Sequence, residues 1–192
     1  MSDTGILGHA EIAGLLDAGV VEGGEYININ PASLNVTLSD TFLAEMRHPH
    51  NHAGFHHICD FSRRNEHGMT PQFNEFRGEI VLDPGAFCLA SIKEKLNLPA
   101  DIACTFYLRS SAARMGLDAN LAMFADPGYS GHLTLELQNV LRYHATRLRA
   151  GDSIGQLLFH RMTKGVHEEK LYRGNYQGDV GPQGARGYHD KG

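Results

Sequence analysis

Short runs with strand character, separated by turn residues, constrain the fold of this chain more than any other feature of its sequence. Runs of this kind fill residues 80–104 and are split at Asp83-Pro84-Gly85 and at Asn97-Leu98-Pro99. Residues 132–162 continue the same pattern. Twenty-two glycines and seven prolines favour many short strands over long helices. We therefore predict an all-β fold.

Helices are expected to be few and short. Residues 9–19, HAEIAGLLDAG, carry apolar groups at helical spacing and predict one surface helix near the N-terminus. A second short helix is expected over residues 112–117. Residues 26–43 alternate as strands do, with a break at Pro31-Ala32-Ser33. The length of 192 residues fits a single domain over 1–192.

Composition and charge exclude several classes of protein. The chain is 42% hydrophobic and 20% charged, and it contains no apolar run long enough for a membrane span and no signal-peptide pattern. A formal net charge of −5 argues against a nucleic-acid binder. Cys88 and Cys104 lie in apolar runs and Cys59 forms no CxxC pair, so we expect free thiols and a cytoplasmic protein.

Residues 47–76 form a polar, histidine-rich segment that interrupts the strand pattern. It holds six of the twelve histidines, at positions His48, His50, His52, His56, His57 and His67. Imidazoles bind Zn²⁺ or Ni²⁺ well, but the spacing here matches no known metal cage. We predict an inserted solvated loop or inter-subunit contact, and a metal site remains the alternative.

Residues 108–139 concentrate the side chains suited to chemistry on a nucleotide. The segment 109–114, RSSAAR, offers forked arginine donors and serine hydroxyls to phosphate oxygens. Asp126 precedes Pro127-Gly128 in a turn, and Tyr129 follows it. Tyr129 either stacks near a bound sugar or is simply a hairpin aromatic.

Glu136 interrupts the apolar run from Leu133 to Leu137. A carboxylate at such a position is either exposed on a wet face or held in a pocket for proton transfer, where burial would raise its pKa. Zinc-dependent deaminases combine H-x-E with P-C-x-x-C; this chain has His9-Ala10-Glu11 but no P-C-x-x-C. No catalytic zinc is therefore expected.

Seven sequence blocks, in order, resemble the dCTP deaminase/dUTPase family, and the deaminase branch most. They cover nearly the whole chain: residues 29–35 (INPASLN), 82–91 (LDPGAFCLAS), 109–117 (RSSAARMGL), 126–131 (DPGYSG), 134–139 (TLELQN), 151–157 (GDSIGQL) and 176–178 (YQG). By this resemblance Glu136 favours the deaminase branch, because dUTPases that only cleave the triphosphate lack a glutamate at that position of the motif.

The resemblance implies a role for individual residues. Glu136 would be general base and acid, Ser110 would position the water, and Arg114 would be the partner of the glutamate. The backbone around Ala122 would complete the water site. The implied nucleotide-binding residues are Arg109, Ser110, Ser111, Arg114, Ala122, Asp126, Thr134, Leu135, Tyr172, Asn175 and Asp179.

The resemblance also implies a fold, an assembly and a reaction. The fold would be a distorted, jelly-roll-like β-barrel of the dUTPase-like β-clip type, assembled as a homotrimer with Arg109 to Arg114 of one chain meeting Glu136 of its neighbour. The reaction would be metal-free deamination of a deoxycytidine nucleotide, first of all dCTP to dUTP and ammonia. Mg²⁺ would be bound with the triphosphate. The alternatives are a dUTP pyrophosphatase, a bifunctional enzyme giving dUMP, and a nucleotide-sensing regulator without turnover.

Departures from the family pattern fall on the pocket and the tail. Asn175 stands where the tail usually has a phosphate-contacting Lys, and Asp179 where it has a nucleotide-contacting Gln, so Asp179 would repel a triphosphate. The hairpin over residues 118–126 is one residue shorter than usual, and Asn35 replaces an Asp. We interpret residues 165–192 as a mobile lid that closes on the nucleotide.

Overall fold

Antiparallel strands dominate the molecule, as predicted. The computed structural model describes residues 4–47, 51, 56–120 and 123–186. Its strands are β1 (Gly5–Ile6), β2 (Val21–Glu22), β3 (Leu34–Thr37), β4 (Thr41–Glu45), β5 (Phe73–Arg77), β6 (Glu79–Leu82), β7 (Phe87–Asn97), β8 (Ile102–Leu108), β9 (Leu117–Asp118), β10 (Phe124–Ala125), β11 (Ser130–Asn139), β12 (Thr146–Arg149) and β13 (Ser153–Arg161). The helices are α1 (His9–Asp17), α2 (Ser110–Arg114) and two 3₁₀ turns, Tyr26–Asn28 and Glu168–Lys170.

These strands form a five-stranded sheet, a six-stranded sheet and a separate two-stranded ribbon. The first sheet has the order β1-β13-β8-β10, with β3 also paired to β13. The second has the order β5-β4-β7-β11-β9, with β2 also paired to β7. Strands β12 and β6 form the separate ribbon. Every pairing is antiparallel, which suits a chain whose strands are joined by short Gly- and Pro-containing turns.

The hydrophobic core is built from the alternating inward positions of the long strands. Along β11 the side chains of Leu133, Leu135 and Leu137 are buried, while the positions between them are only half-buried. Phe159 of β13 and Phe42 of β4 are fully buried in the same core. One face of each sheet thus packs inward, and the opposite face of β11 is left to line a cavity.

The short helices and the first predicted strand differ in how closely they follow the sequence prediction. The N-terminal helix is confirmed and ends at Asp17, with Gly19 in the left-handed region at φ +68°. The strand expected from residue 26 is wrong at its start, because Tyr26–Asn28 forms a 3₁₀ turn and the first strand of the region begins at Leu34. The second helix begins at Ser110 rather than at residue 112, because its cap is Arg109.

The histidine-rich segment is shorter in the fold than in the sequence prediction, since β5 begins within it at Phe73. His48, His50 and His52 lie outside the described residues. Among the residues that are described, no group of three or more His, Cys, Asp or Glu side chains is placed to hold a metal ion. The His57 imidazole is hydrogen-bonded to the Gly68 carbonyl at 2.5 Å, which is a contact within the loop itself.

The cysteines are free, as expected. Cys88 and Cys104 are buried and Cys59 is exposed. Burial raises the pKa of the Cys88 thiol to about 12, so this thiol stays protonated and unreactive at neutral pH. Across the described ranges, no helix has the length and apolar character needed to cross a membrane.

Gly155 gives a test of the packing between β13 and β8. A Cβ added at Gly155 would collide with the ring of Phe106, which is buried, and would lie 2.8 Å from the Tyr107 carbonyl oxygen. We expect Gly155→Ala to lower the free energy of unfolding by about 1–3 kcal/mol. Gly14→Ala is the matched control, because a Cβ there meets nothing within 4 Å and α1 should gain roughly 0.5–1 kcal/mol. Thermal unfolding of both variants measures the contrast, and equal shifts would contradict it.

Candidate active site

A cavity of about 430 Å³ lies between the second sheet and the C-terminal segment. That volume suits a nucleoside-sized ligand. Its wall is mostly aromatic and aliphatic, with a few carboxylates and amides. The lining residues are Pro71, Phe73, Phe87, Leu89, Phe124, Ala125, Asp126, Tyr129, Leu133, Thr134, Glu136, Tyr172, Tyr176, Asp179, Gln183 and Ala185.

Glu136 is the most unusual group in this cavity. It lies on β11 opposite Leu89 of β7, in the middle of the second sheet. Its Oε2 atom is buried and has no hydrogen-bond partner within the described part of the chain. Burial raises the pKa of the Glu136 carboxyl, and a hydrogen bond from its own backbone opposes that shift. An unsatisfied buried carboxylate is costly to stability, and such groups are typical of functional sites.

The position of Glu136 is fixed by both ends of β11. At the start of the strand the register with β7 shifts between His132 and Thr134, which re-aims the side chains that follow. At the end, the fully buried Asn139 amide donates to the carbonyls of Leu82 and His144 at 2.9 Å. These contacts hold the strand rigidly, and the alternation of β11 then directs Thr134 and Glu136 to the cavity.

Asp126 supplies a second carboxylate at the cavity, on a different element. It opens a turn in which the Tyr129 amide donates to the Asp126 carbonyl at 3.0 Å. Gly128 in this turn has φ +88°, and a Cβ there would lie 2.8 Å from the Leu171 side chain. The turn therefore needs glycine both for its backbone and for the close approach of the C-terminal segment.

Two tyrosines form the wall beside Asp126. The rings of Tyr129 and Tyr172 meet edge to face, with centroids 5.6 Å apart. The Tyr129 hydroxyl donates to the His132 carbonyl at 2.9 Å. Burial raises the pKa of both phenols, so they remain neutral donors at physiological pH. Tyr129 is thus both a hairpin aromatic and a cavity residue.

The C-terminal segment closes the cavity by pairing with the start of β11. The Gly178 amide donates to the Ser130 carbonyl at 2.7 Å, and the His132 amide donates to the Asp179 carbonyl at 2.9 Å. Gly131, at φ +141°, allows this approach, because a Cβ there would lie 3.0 Å from the Asp179 nitrogen. Further along, the backbone amide of Gln183 donates to Thr134 Oγ1 at 3.2 Å. The segment predicted to be a lid therefore covers the cavity, and its mobility stays a prediction.

The block predicted to bind phosphate, residues 109–114, lies elsewhere on the same chain. Ser110, Ser111 and Arg114 are exposed, and Arg109 is half-buried with its guanidinium donating to Ser153 Oγ at 2.7 Å. None of these four residues lines the cavity that holds Glu136. A single chain therefore does not bring Ser110 and Arg114 to Glu136, and their predicted meeting between neighbouring chains stays a prediction.

The remaining predicted nucleotide contacts divide in the same way. Leu135 has its side chain fully buried in the core, so a side-chain contact with a nucleotide is excluded and only its backbone could serve. Asn175 is outside the cavity wall, and its carbonyl accepts from Arg186. Ala122 lies outside the described residues. Asn35, the departure near the N-terminus, accepts at 3.0 Å from the Asn30 side chain.

Several cavity residues carry no signal in the sequence. Phe73, Phe87 and Phe124 come from three strands far apart in the chain and look like ordinary core aromatics. The rings of Phe73 and Phe87 lie 6.4 Å apart and form one wall. Gln183 lies in a Gly-rich segment without periodicity, as does Arg186 outside the cavity wall, so nothing in the sequence distinguishes either from a solvated tail.

Known proteins are similar to this chain in both sequence and fold. A dCTP deaminase-like family profile matches residues 6–162. A protein of Streptomyces griseus named "dCTP deaminase, dUMP-forming" is 33% identical over 193 residues, covering 96% of each chain. A protein of the same name from Parafrankia is 35% identical over 191 residues, covering 96% of this chain and 92% of its own.

A solved structure supports the architecture alone. The crystal structure of the 2′-deoxycytidine 5′-triphosphate deaminase of Agrobacterium tumefaciens matches with a TM-score of 0.62 at 22% identity. The match covers 87% of this chain and 51% of the Agrobacterium chain. The predicted dUTPase-like β architecture is therefore confirmed.

Proposed function

This chain belongs to the dCTP deaminase-like family, and from that premise we propose that it converts dCTP to dUMP in two hydrolytic steps. The first step replaces the 4-amino group of cytosine by oxygen and releases ammonia. The second cleaves the resulting dUTP to dUMP and pyrophosphate. Each step consumes one water molecule.

The observation that carries the first step is the buried, unpartnered Oε2 of Glu136 at the cavity. A carboxylate in this state accepts a proton from water as the oxygen attacks C4 of the base. The protonated group gives this proton to N3 of the base. It then takes the remaining proton from the added hydroxyl and passes it to the amine, which leaves as ammonia while the C4=O bond forms. Burial raises the pKa of the Glu136 carboxyl, which strengthens it as a proton acceptor.

The second step has its own candidate group in Asp126. This carboxylate is exposed at the cavity rim, and it resembles the family aspartate that activates the water attacking phosphorus. The relatives at 33–35% identity are named dUMP-forming, which favours dUMP over the dUTP product that the sequence alone favours first. Glu136 and Asp126 would then divide the two reactions of one site between them.

The arginine block enters this proposal from a neighbouring subunit. Residues Arg109 and Arg114, with Ser110 and Ser111, lie outside the cavity of their own chain. Apolar side chains close to this block in the chain are exposed, including Tyr107 and Met115 at 52% and 60%. A homotrimer would cover this surface and bring the block to the Glu136 of the next chain.

Magnesium would arrive with the nucleotide. Within the described chain no three carboxylates, thiols or imidazoles are grouped to hold a cation. A Mg²⁺ ion in this site would therefore be bound by phosphate oxygens and water, and the protein would hold the ion through the nucleotide.

Product analysis tests the function directly. The purified protein is incubated with dCTP and, separately, with dUTP in the presence of Mg²⁺, and nucleotides, ammonia and pyrophosphate are all quantified. We expect dUMP, ammonia and pyrophosphate in equal amounts from dCTP. Accumulating dUTP would indicate a deaminase alone, and dUMP from dUTP only would indicate a pyrophosphatase. Nucleotide binding without any product would indicate a regulator.

Mixing two inactive variants tests the shared site. Glu136→Gln keeps the arginine and Arg114→Gln keeps the glutamate, so a trimer assembled from both chains regains some complete sites. Random assortment of equal amounts should restore about a quarter of the wild-type activity if each site joins two chains. Activity is measured after the two chains are unfolded and refolded together.

A mixture of Glu136→Gln with Glu136→Ala is the control, since both chains lack the same group and should stay inactive. Sedimentation of the mixture should give three times the 21.1 kDa chain mass. If the mixture of complementary variants is no more active than its components, each site belongs to a single chain.

A further inference from the structure

We propose that Arg186 is the lid cation of this enzyme: it neutralises Asp179 at the cavity wall and so permits a polyphosphate to bind there. This inference rests on the proposed function and concerns how the same site tolerates its anionic substrate. Neither residue has a role in the proton-transfer steps assigned above.

Asp179 is an unexpected group to find in a nucleotide site. Its side chain is only 5% exposed and lies at the cavity wall, on the segment that pairs with β11. With Glu136 and Asp126 it makes three carboxylates around one cavity. In the described part of the chain no lysine or arginine lines this cavity, so one chain alone offers no lining cation to offset the charge of these carboxylates.

Arg186 forms an ion pair with Asp179 and links several positions of the C-terminal segment. Its Nη1 is 2.8 Å from Asp179 Oδ1 and donates to the Asn175 carbonyl at 2.6 Å. Its Nη2 donates to Gln183 Oε1 at 2.7 Å. The guanidinium also lies over the Tyr176 ring, 5.6 Å from the centroid. One side chain thus contacts four positions of the segment that covers the cavity.

The Arg186 guanidinium contacts both positions at which the tail departs from the family pattern, Asn175 and Asp179. Asn175 stands where the tail of the resembled family carries a lysine. Arg186, eleven residues downstream, places its cation at the Asn175 carbonyl. Asp179 stands where the tail carries a neutral glutamine, and the ion pair restores neutrality there. Because the Arg186 side chain is 39% exposed, its remaining donors are free to face solvent or phosphate oxygens.

The test measures nucleotide binding in the Glu136→Gln background, where the substrate is not consumed. Calorimetry gives the affinities for dCMP, dCDP and dCTP with and without Arg186→Gln. We expect Arg186→Gln to weaken dCTP binding by about tenfold or more and dCMP binding much less, because repulsion from Asp179 grows with phosphate charge. Arg173→Gln removes a positive charge from the same segment without touching Asp179 and should have a much smaller effect.

A second substitution separates charge from structure. Adding Asp179→Asn to Arg186→Gln removes the unpaired carboxylate but restores none of the contacts to Asn175 or Gln183. We expect this double variant to recover most of the dCTP affinity. If it binds dCTP as weakly as Arg186→Gln, or if all three nucleotides are weakened equally, Arg186 only holds the lid together and the proposal is wrong.

The failures of the two proposals have different signatures. Phosphate-dependent binding that responds to these variants, without turnover by the wild-type protein, overturns the proposed function alone. Turnover by the wild type with dCTP affinity unchanged in Arg186→Gln overturns the role of Arg186 alone. Absence of binding by all three nucleotides contradicts both.

Discussion

Glu136→Gln is expected to lower kcat for the deamination of dCTP by about 10²–10⁴-fold, because the carboxamide can neither accept nor return the proton. The substitution keeps the size and the polar surface of the side chain. It should therefore leave nucleotide binding within a few-fold of the wild type. Ammonia release from dCTP at saturating substrate measures the effect.

Glu94→Gln is the matched control. Glu94 is also a buried glutamate whose pKa is raised by burial, but both of its carboxylate oxygens accept from the Thr37 backbone amide, at 3.2 and 3.1 Å. It does not line the cavity. Its substitution should change stability more than kcat. Equal losses of kcat in the two variants would mean that Glu136 supports the fold and not the reaction.

The stability of Glu136→Gln should move in the opposite direction from its activity. Burial raises the folded-state pKa of Glu136 above its ordinary value of 4.5, so the ionised group costs stability once the pH exceeds that value. Glutamine removes this cost. The variant should be at least as stable as the wild type at neutral pH, and its advantage should shrink as the pH falls toward 4.5. Unfolding curves over this range check the sign.

Much of the fold follows from local sequence signals. The breaks at Asp83-Pro84-Gly85 and Asn97-Leu98-Pro99 separate β6, β7 and β8 as predicted, because turn residues act over a few positions only. The 3₁₀ turn at Tyr26–Asn28 escaped the prediction because apolar alternation over three or four residues does not distinguish it from a strand.

The site was predictable only where its residues share a motif. Glu136 and Asp126 were identified because each stands in a recognisable block, and the structure places both at one cavity. Phe73 and Phe87 reach the same cavity through the pairing of β4 with β5 and β7, a long-range consequence of the fold. The Arg186–Asp179 ion pair was not predicted for a different reason: two charges seven residues apart in an irregular segment leave no periodic pattern.

The meeting of the arginine block with Glu136 stays a prediction. The block that begins at Arg109 and the strand that carries Glu136 are close in sequence, and the family resemblance implies that they meet between neighbouring chains. Within one chain, β9 and β10 lie between them, and Arg114 of α2 is exposed while Arg109 is half-buried. Neither arginine lines the cavity of Glu136 in its own chain, and the mixing experiment tests whether a neighbouring chain brings them there.

Asp126→Asn is expected to change the product of the enzyme. If Asp126 activates the water that attacks phosphorus, its loss should slow dUMP formation by about 10²–10⁴-fold while deamination by Glu136 continues. dUTP should then accumulate from dCTP. The variant should keep its fold, since Asp126 is exposed and the turn is held by its backbone carbonyl, which asparagine retains.

Time courses of dCTP, dUTP and dUMP measure the switch, with ammonia and pyrophosphate as separate readouts of the two steps. The ratio of ammonia to pyrophosphate should rise from about one to far above it, because only the second step depends on this carboxylate. A parallel loss of both products would show that Asp126 positions the nucleotide for both reactions. An unchanged ratio at full activity would mean that another group activates the second water, and the division of work between Glu136 and Asp126 would then be wrong.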